Sequence, residues 1–98
     1  MAMHPIEVGK NYLFETATLY WAGTVTAVHP FWVELDDCHW VHWTGRKSTL
    51  FQAGLDPTKF GSDRRPRTEY IGKWFVSIGA IMAYGPLPGS IPNTSLEE

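Results

Sequence analysis

The chain has 98 residues, a formal net charge of −2 and 14% aromatic residues. This length predicts one domain with a modest core, and no apolar run approaches the roughly 20 residues that span a membrane. The single cysteine excludes an internal disulfide, and MAMHPIEVGK at the start lacks the basic and apolar regions of a secretory signal, so we expect a cytoplasmic protein.

The first two strands are predicted over residues 12–16 and 19–29. Both segments are rich in β-branched and aromatic residues, which favour strands. Alternation in the second strand places Tyr20 and Ala22 on one face and Trp21 on the other. Gly23 interrupts this pattern and predicts a bulge or a sharp bend, as small barrels need.

The next predicted strand covers residues 32–35. We expect Asp36-Asp37 to form a tight turn after it, because short acidic side chains tolerate turn geometry. Residues 38–45 then return as a further strand, which contains the conspicuous sequence CHWVHW.

The second half of the chain begins with a short helix over residues 46–53, followed by Gly54 where a helix-ending glycine is common. Residues 55–68 have no periodicity and predict a loop. Residues 69–84 predict one bent strand or two short ones, broken at Gly72 and Gly79. The sequence therefore predicts a mainly β fold, a small SH3-like, partly open barrel of five to six strands with one short helix. We assign a single domain over residues 1–98, with a core of about residues 8–86 and an extended tail at 87–98.

The sequence CHWVHW raises the possibility of a metal or thiol site. On an extended strand at roughly 3.3 Å per residue, Cys38 and His42 lie about 13 Å apart, whereas zinc needs ligands at about 2.0–2.3 Å. The neighbouring Asp36 and Asp37 raise the pKa of a thiol instead of lowering it, and the chain lacks GxSxG, HExxH and a phosphate-binding glycine loop. We therefore predict no metal, no cofactor and no enzymatic activity. The aromatic strand serves either as packing against the core and a second subunit or as one wall of a binding site.

Charge is unevenly distributed along the chain. Residues 1–45 contain five acidic residues and one lysine, whereas residues 46–73 contain seven basic and three acidic residues. A basic segment on an acidic protein predicts a site for a small anion, and it is too short for duplex nucleic acid. Since aromatic rings stack on bases and cations meet phosphates, we predict a ligand-binding set of Trp43, Thr44, Arg46, Lys47, Arg64, Arg65 and Arg67.

Three blocks of the sequence resemble a family of small phage and prophage proteins. They are VGKNYLFETATLYWAGTVTAV, WVELDDCHWVHWTGRKSTL, and VSIGAI with a closing PLP. The family pattern contains GKxYxxxTxTxYYxG, LxDAxWIxxTGR, GAI and LP, and the chain departs from it at Glu15, where the family has Arg, and at Trp43, where it has Asp. The resemblance implies a phage accessory protein with an SH3-like barrel and no assigned activity, located in the cytoplasm of an infected bacterium.

Two kinds of function follow from these features. The first is a non-enzymatic counter-defence module that sequesters an anionic, cyclic nucleotide used as an immune signal. The second is a virion or assembly component, or a protein that inhibits a host defence enzyme directly. In that case exposed aromatic residues form the interface, because Trp dominates interface hot spots. We predict interface residues at Trp21, Trp32 and Trp74, and self-association into a homo-oligomer, without binding to membranes or duplex nucleic acid.

Overall fold

Five strands and one helix make up the computed structural model, which describes residues 6–56, 58 and 66–96. In chain order they are β1 (Asn11–Glu15), β2 (Tyr20–Val28), β3 (Trp32–Trp43), α1 (Lys47–Ala53), β4 (Arg67–Ser77) and β5 (Ala83–Pro86), with a 3-10 turn at Ile78–Ala80. The strands form one antiparallel sheet in the order β4-β3-β2-β1-β5. The predicted mainly β class is confirmed, and the sheet is not closed, as expected of a partly open barrel.

The pattern of β2 matches its sequence. Ala22 is fully buried on one face and Val25 on the other, while the pairing with β3 shifts register between Ala22 and Thr24. The predicted bulge at Gly23 is therefore confirmed. A Cβ atom at Gly23 would lie 3.1 Å from the carbonyl oxygen of Asp36, so the close approach of the two strands favours glycine at this position.

The expected turn at Asp36-Asp37 is wrong, because β3 continues through both residues. Leu35 pairs with Trp74 and Cys38 pairs with Gly72, so two residues of β3 lie opposite one residue of β4 in a β-bulge. Asp37 adopts a positive φ of 50°, which short acidic side chains tolerate. The acidic pair has the predicted backbone adaptability, but neighbouring strands on both sides keep β3 extended.

The bulge decides which residues of β3 share a face. Strict alternation would put Leu35 and Cys38, three residues apart, on opposite faces. Because the bulge adds one residue, both side chains are fully buried in the same hydrophobic cluster. Trp40 and His42 alternate with Cys38 and follow it onto this face, whereas His39 and Val41 point to the other.

Both faces of the sheet carry a hydrophobic core. The helix-side core lies under α1 and the C-terminal segment and contains Leu13, Ala22, Val41, Leu50, Leu55, Leu87, Ile91 and Leu96. The opposite core contains Ile6, Tyr12, Phe14, Val25, Val33, Leu35, Cys38 and Val76. Burial on both faces explains why β3 reads as aromatic and apolar at consecutive positions instead of alternating with polar residues.

Helix α1 agrees with the predicted helix over residues 46–53. Leu50 is fully buried, and the amide of Gly54 donates a hydrogen bond of 2.7 Å to the carbonyl of Leu50. Gly54 has a φ of 71°, which favours glycine after a helix. The predicted end of the helix is therefore confirmed.

The strands after the helix differ in detail from the prediction. Gly72 lies inside β4 with a φ of 94° and does not break it, whereas Gly79 lies in the 3-10 turn that separates β4 from β5. The expected loop at 55–68 ends earlier, since β4 begins at Arg67. Residues 57 and 59–65 of that segment lie outside the described residues.

Residues 87–96, part of the segment assigned to an extended tail, contribute to the core, which does not stop at residue 86. Leu87, Ile91 and Leu96 are all at least nine-tenths buried in the helix-side core. Leu96 also forms an isolated antiparallel bridge with Thr68 of β4. The C-terminal segment is thus part of the packed domain, because three of its side chains cover the sheet beside α1.

Candidate functional site

The end of β3 and the start of β4 bring together part of the predicted ligand-binding set. Trp43 is the last residue of β3 and pairs across the sheet with Arg67, the first residue of β4. Trp43 is 39% exposed, and Arg46 and Arg67 are exposed. Trp43 and Arg67 are therefore close in space at the end of the ladder, beyond a register shift between Val41 and Trp43. We call Trp43, Arg46 and Arg67 the Trp43 corner.

The other predicted ligand residues have different surroundings. Thr44 is 9% exposed, and its hydroxyl donates to the carbonyl of Gly45 at 3.1 Å. Lys47 Nζ lies 3.5 Å from Glu15 Oε1 and 4.9 Å from the centre of the Tyr20 ring. Hydrogen bonding to Tyr20 and the nearby Glu15 carboxylate raise the pKa of Lys47. These two side chains interact within the fold, and Arg64 and Arg65 lie outside the described residues.

A row of stacked aromatic rings crosses the sheet on the face of the opposite core. The Trp21 ring centre lies 6.5 Å from that of Trp40 and 5.4 Å from that of Trp74, with interplanar angles of 30° and 25°. His42 extends the row, 4.2 Å from Trp40. The sequence did not predict this row, because it depends on the bulge at Asp36-Asp37, which was expected to be a turn. The bulge places Trp40 on the same face of the sheet as Trp74. The alternation of Trp40 with His42 was the only signal for it.

The thiol and the two imidazoles of CHWVHW lie in different environments. Cys38 is fully buried, and burial raises the pKa of its thiol to about 12. His39 is fully buried on the other face, whereas His42 is exposed and its Nε2 lies 3.7 Å from Glu69 Oε1. Over residues 6–56, 58 and 66–96, no three His, Cys, Asp or Glu side chains converge as a metal site would require.

His39 has a defined hydrogen-bond network. Its Nε2 lies 2.7 Å from the carbonyl oxygen of Pro92, which only accepts, so Nε2 carries the proton. Its Nδ1 then accepts from the Thr68 hydroxyl at 2.7 Å, and that hydroxyl accepts from the amide of Leu96 at 3.1 Å. Burial lowers the pKa of His39, outweighing the hydrogen bond to Pro92 and the charge of Asp37. The imidazole is neutral and joins the C-terminal segment to the sheet.

Two shallow clefts lie beside α1. One, of about 180 Å³, is lined by Leu13, Glu15, Lys47, Phe51, Ala83 and Tyr84. The other, of about 270 Å³, lies between the end of α1 and the C-terminal segment. Pockets that enclose a drug-sized ligand measure about 300–1,000 Å³. Neither of these two clefts is large enough to enclose a nucleotide.

The predicted interface residues do not form one surface. Trp21 is partly buried against the opposite core and stacks on Trp74, which is 41% exposed. Trp32 lies at the other end of β3 from Trp43, is 42% exposed, and its ring centre lies 5.1 Å from that of His29. Trp32 therefore belongs to a different surface from the other two.

Comparison with known proteins identifies no relative. No protein-family model matches this chain, and no curated protein or solved structure is significantly similar to it. The resemblance to small phage and prophage proteins stays a prediction from sequence motifs. In the part of the chain that the structure describes, no helix is long and apolar enough to cross a membrane.

Proposed function

We propose that this protein is a non-enzymatic binding module, encoded by a phage, that captures a small anionic ligand with a flat ring. A cyclic nucleotide used as an immune signal has this chemistry. The observation that carries the proposal is the pairing of Trp43 with Arg67, with the exposed Arg46 three residues after Trp43 in the chain. These residues come from two segments of the chain, and they combine a stacking surface with two cations. The phage setting comes from the sequence resemblance.

The affinity of such a corner follows from its contacts. Stacking of one base contributes roughly 1–3 kcal/mol, and each hydrogen bond to a charged group roughly 1.5–3 kcal/mol. One stack on Trp43 and one such bond from each of Arg46 and Arg67 give a gross total of about 4–9 kcal/mol. That upper value corresponds to about micromolar binding before the costs of association. Tighter sequestration would require further cations, and Arg64 and Arg65 precede Arg67 by three and two residues.

Two observations support a role without catalysis. The only thiol, Cys38, is fully buried with its pKa raised to about 12, whereas a nucleophilic cysteine needs an accessible thiolate near neutral pH. The buried imidazole of His39 has both ring nitrogens in hydrogen bonds within the fold. Neither group is placed to react with a ligand.

A second candidate function is a virion or assembly component, or a direct inhibitor of a host enzyme. The observation that favours it is the exposure of Phe31 (74%), Phe75 (52%) and Trp32 (42%). Exposed aromatic groups of this kind mark protein interfaces. This function needs the aromatic residues and does not need Arg46 or Arg67.

Thermal unfolding against a panel of mono-, di- and cyclic nucleotides tests the first proposal. A ligand at 100 times its Kd adds about 2.7 kcal/mol of stability, which raises the Tm of a domain of this size by roughly 10 °C or more. We expect one nucleotide class to produce the shift. Arg46→Ala and Trp43→Ala should abolish it, while Trp43→Phe, which keeps a ring, should retain most of it.

Lys10→Ala is the matched control, because Lys10 is an exposed cation on the segment before β1. It should leave the shift unchanged. A nucleotide shift that persists in Arg46→Ala and Trp43→Ala would place binding elsewhere and refute the Trp43 corner. A panel without any shift would refute capture of these nucleotides and favour the second candidate.

A further inference from the structure

One end of the sheet exposes a group of aromatic side chains, Phe31, Trp32 and Phe75, which we call the aromatic end. Phe31 lies between β2 and β3 and is 74% exposed, while Trp32 is 42% and Phe75 52% exposed. Trp32 pairs with Ser77 and Phe75 with Glu34, so the two rings are diagonal neighbours on one face. The amide of Ile78 donates to the carbonyl of Phe31 at 2.9 Å, which holds the β2–β3 connection against β4.

The charges around this surface are distinctive. Residues 16–33 and 74–96 contain no Asp, Glu, Lys or Arg, so the charged side chain within the aromatic end is Glu34, which pairs with Phe75. At its border, Lys73 Nζ lies 3.3 Å from Glu34 Oε2 and 3.7 Å from Asp36 Oδ1. The surface thus has an aromatic centre whose acidic group is bonded to Lys73, with both signs of charge at its border, which is the composition of a protein interface.

We propose that the aromatic end is a self-association surface, on which two copies of the chain dock with two-fold symmetry. In such a contact each patch faces its own copy, so a net charge at its centre would repel. The ion pair of Glu34 with Lys73 reduces this repulsion, and a border with both signs lets Lys73 of each copy also meet Asp36 of the other. The centre has no Lys or Arg to attract nucleic acid or an anionic lipid surface.

The edge of the sheet supports the same contact. β4 is an edge strand. Through residue 96, the C-terminal segment covers the beginning of β4, where the amide of Thr68 donates to the Leu96 carbonyl at 2.8 Å and the amide of Tyr70 to Ser95 Oγ at 2.9 Å. Among the described strands, none pairs with the outer edge of β4 over residues 71–77. Backbone groups suited to pairing with a second chain therefore adjoin Phe75.

Sedimentation velocity over a range of concentrations tests this proposal. We expect the unmodified chain to sediment as a dimer of twice its 11.1 kDa mass. Phe31→Ser and Phe75→Ser should each raise the dimer Kd by about thirtyfold or more, as for an interface hot spot. Met82→Ser is the matched control. Met82 is 72% exposed, and its amide is bonded to Glu15, at the opposite end of β2 from Phe31.

A charge exchange tests the two-fold arrangement. Asp36→Lys and Lys73→Asp should each weaken the dimer by placing like charges opposite each other, while an equimolar mixture of the two variants should form a heterodimer. Circular dichroism on each variant checks that it is folded.

Three results would overturn the proposal. The first is a chain that stays monomeric at about 100 µM, a concentration at which even a weak specific dimer forms. The second is normal dimerisation of the Phe31→Ser and Phe75→Ser variants. The third is an equimolar mixture of Asp36→Lys and Lys73→Asp that forms no heterodimer. A monomer that binds uncharged lipid vesicles through Phe31 would reassign the surface to a membrane. None of these variants alters the Trp43 corner, so failure here is distinct from failure of nucleotide capture.

Discussion

Replacement of Thr68 by valine should destabilise the protein by removing one hydroxyl at the contact between β4 and the C-terminal segment. That hydroxyl donates to His39 Nδ1 at 2.7 Å and accepts from the Leu96 amide at 3.1 Å. His39 is fully buried and Leu96 is 7% exposed, so water does not replace the lost partner. Valine has nearly the same shape and leaves two polar groups unsatisfied.

The magnitude follows from these two groups. Each buried polar group without a partner costs roughly 1–3 kcal/mol, so the two together should lower the free energy of unfolding of Thr68→Val by about 2–6 kcal/mol. This is a large share of the roughly 5–15 kcal/mol that stabilises a typical domain. The Tm should fall by at least about 8 °C. The backbone hydrogen bond from Thr68 to the Leu96 carbonyl, at 2.8 Å, remains.

Urea unfolding followed by tryptophan fluorescence measures this change. Thr68→Ser keeps the hydroxyl and should recover most of the stability that valine removes. Thr18→Val, at an exposed position between β1 and β2, should change the free energy of unfolding by less than about 0.5 kcal/mol. If Thr68→Val unfolds within 0.5 kcal/mol of the unmodified chain, the network does not stabilise the tail as argued.

Three further predictions concern buried or strained positions. Burial lowers the pKa of His39 in the folded chain, so the unfolded chain binds the proton first. The contribution of His39 to the free energy of unfolding is complete above about pH 6.5 and falls at lower pH, by at most about 1.4 kcal/mol per pH unit. In urea titrations at several pH values, His39→Gln should lose this dependence of stability on pH. An unchanged dependence would assign it to another titratable group. Gly54→Ala should lower the free energy of unfolding by at least about 1 kcal/mol more than Gly9→Ala does, and it should therefore have the lower Tm. Both glycines have positive φ, but only at Gly54 would a Cβ overlap the Pro88 carbonyl; equal losses would contradict this. Cys38, with its pKa raised to about 12, should react with iodoacetamide at least about a hundredfold more slowly in the folded than in the unfolded chain, and rapid native labelling would show that the thiol is accessible.

The two proposed surfaces lie at opposite ends of β3. This strand runs from Trp32 at the aromatic end to Trp43 at the ligand corner, a separation of roughly 36 Å at about 3.3 Å per residue. A dimer formed through the aromatic end therefore leaves both Trp43 corners exposed. Self-association and ligand capture are therefore compatible.

Local signals in the sequence were sufficient for much of the fold. The β-branched and aromatic segments predicted the mainly β class, and Gly23 predicted a bulge, because only a small residue allows close approach of two strands. The helix and its end at Gly54 followed from spacing and from the preference of glycine for positive φ. Each of these features depends on residues that are close together in the sequence.

Pairing between distant segments decided the rest. Whether Asp36 and Asp37 turn the chain or form a bulge depends on strands on both sides of β3, and the local sequence favours either. The bulge then placed Trp40 in the stacked row with Trp74, and the pairing of β3 with β4 placed Arg67 beside Trp43. The C-terminal segment is likewise buried only because β4 and His39 supply its partners. The sequence by itself determined the mainly β class, the helix with its end at Gly54 and the bulge at Gly23, whereas tertiary contacts decided the course of β3 and which groups meet, because register and burial are properties of the whole sheet.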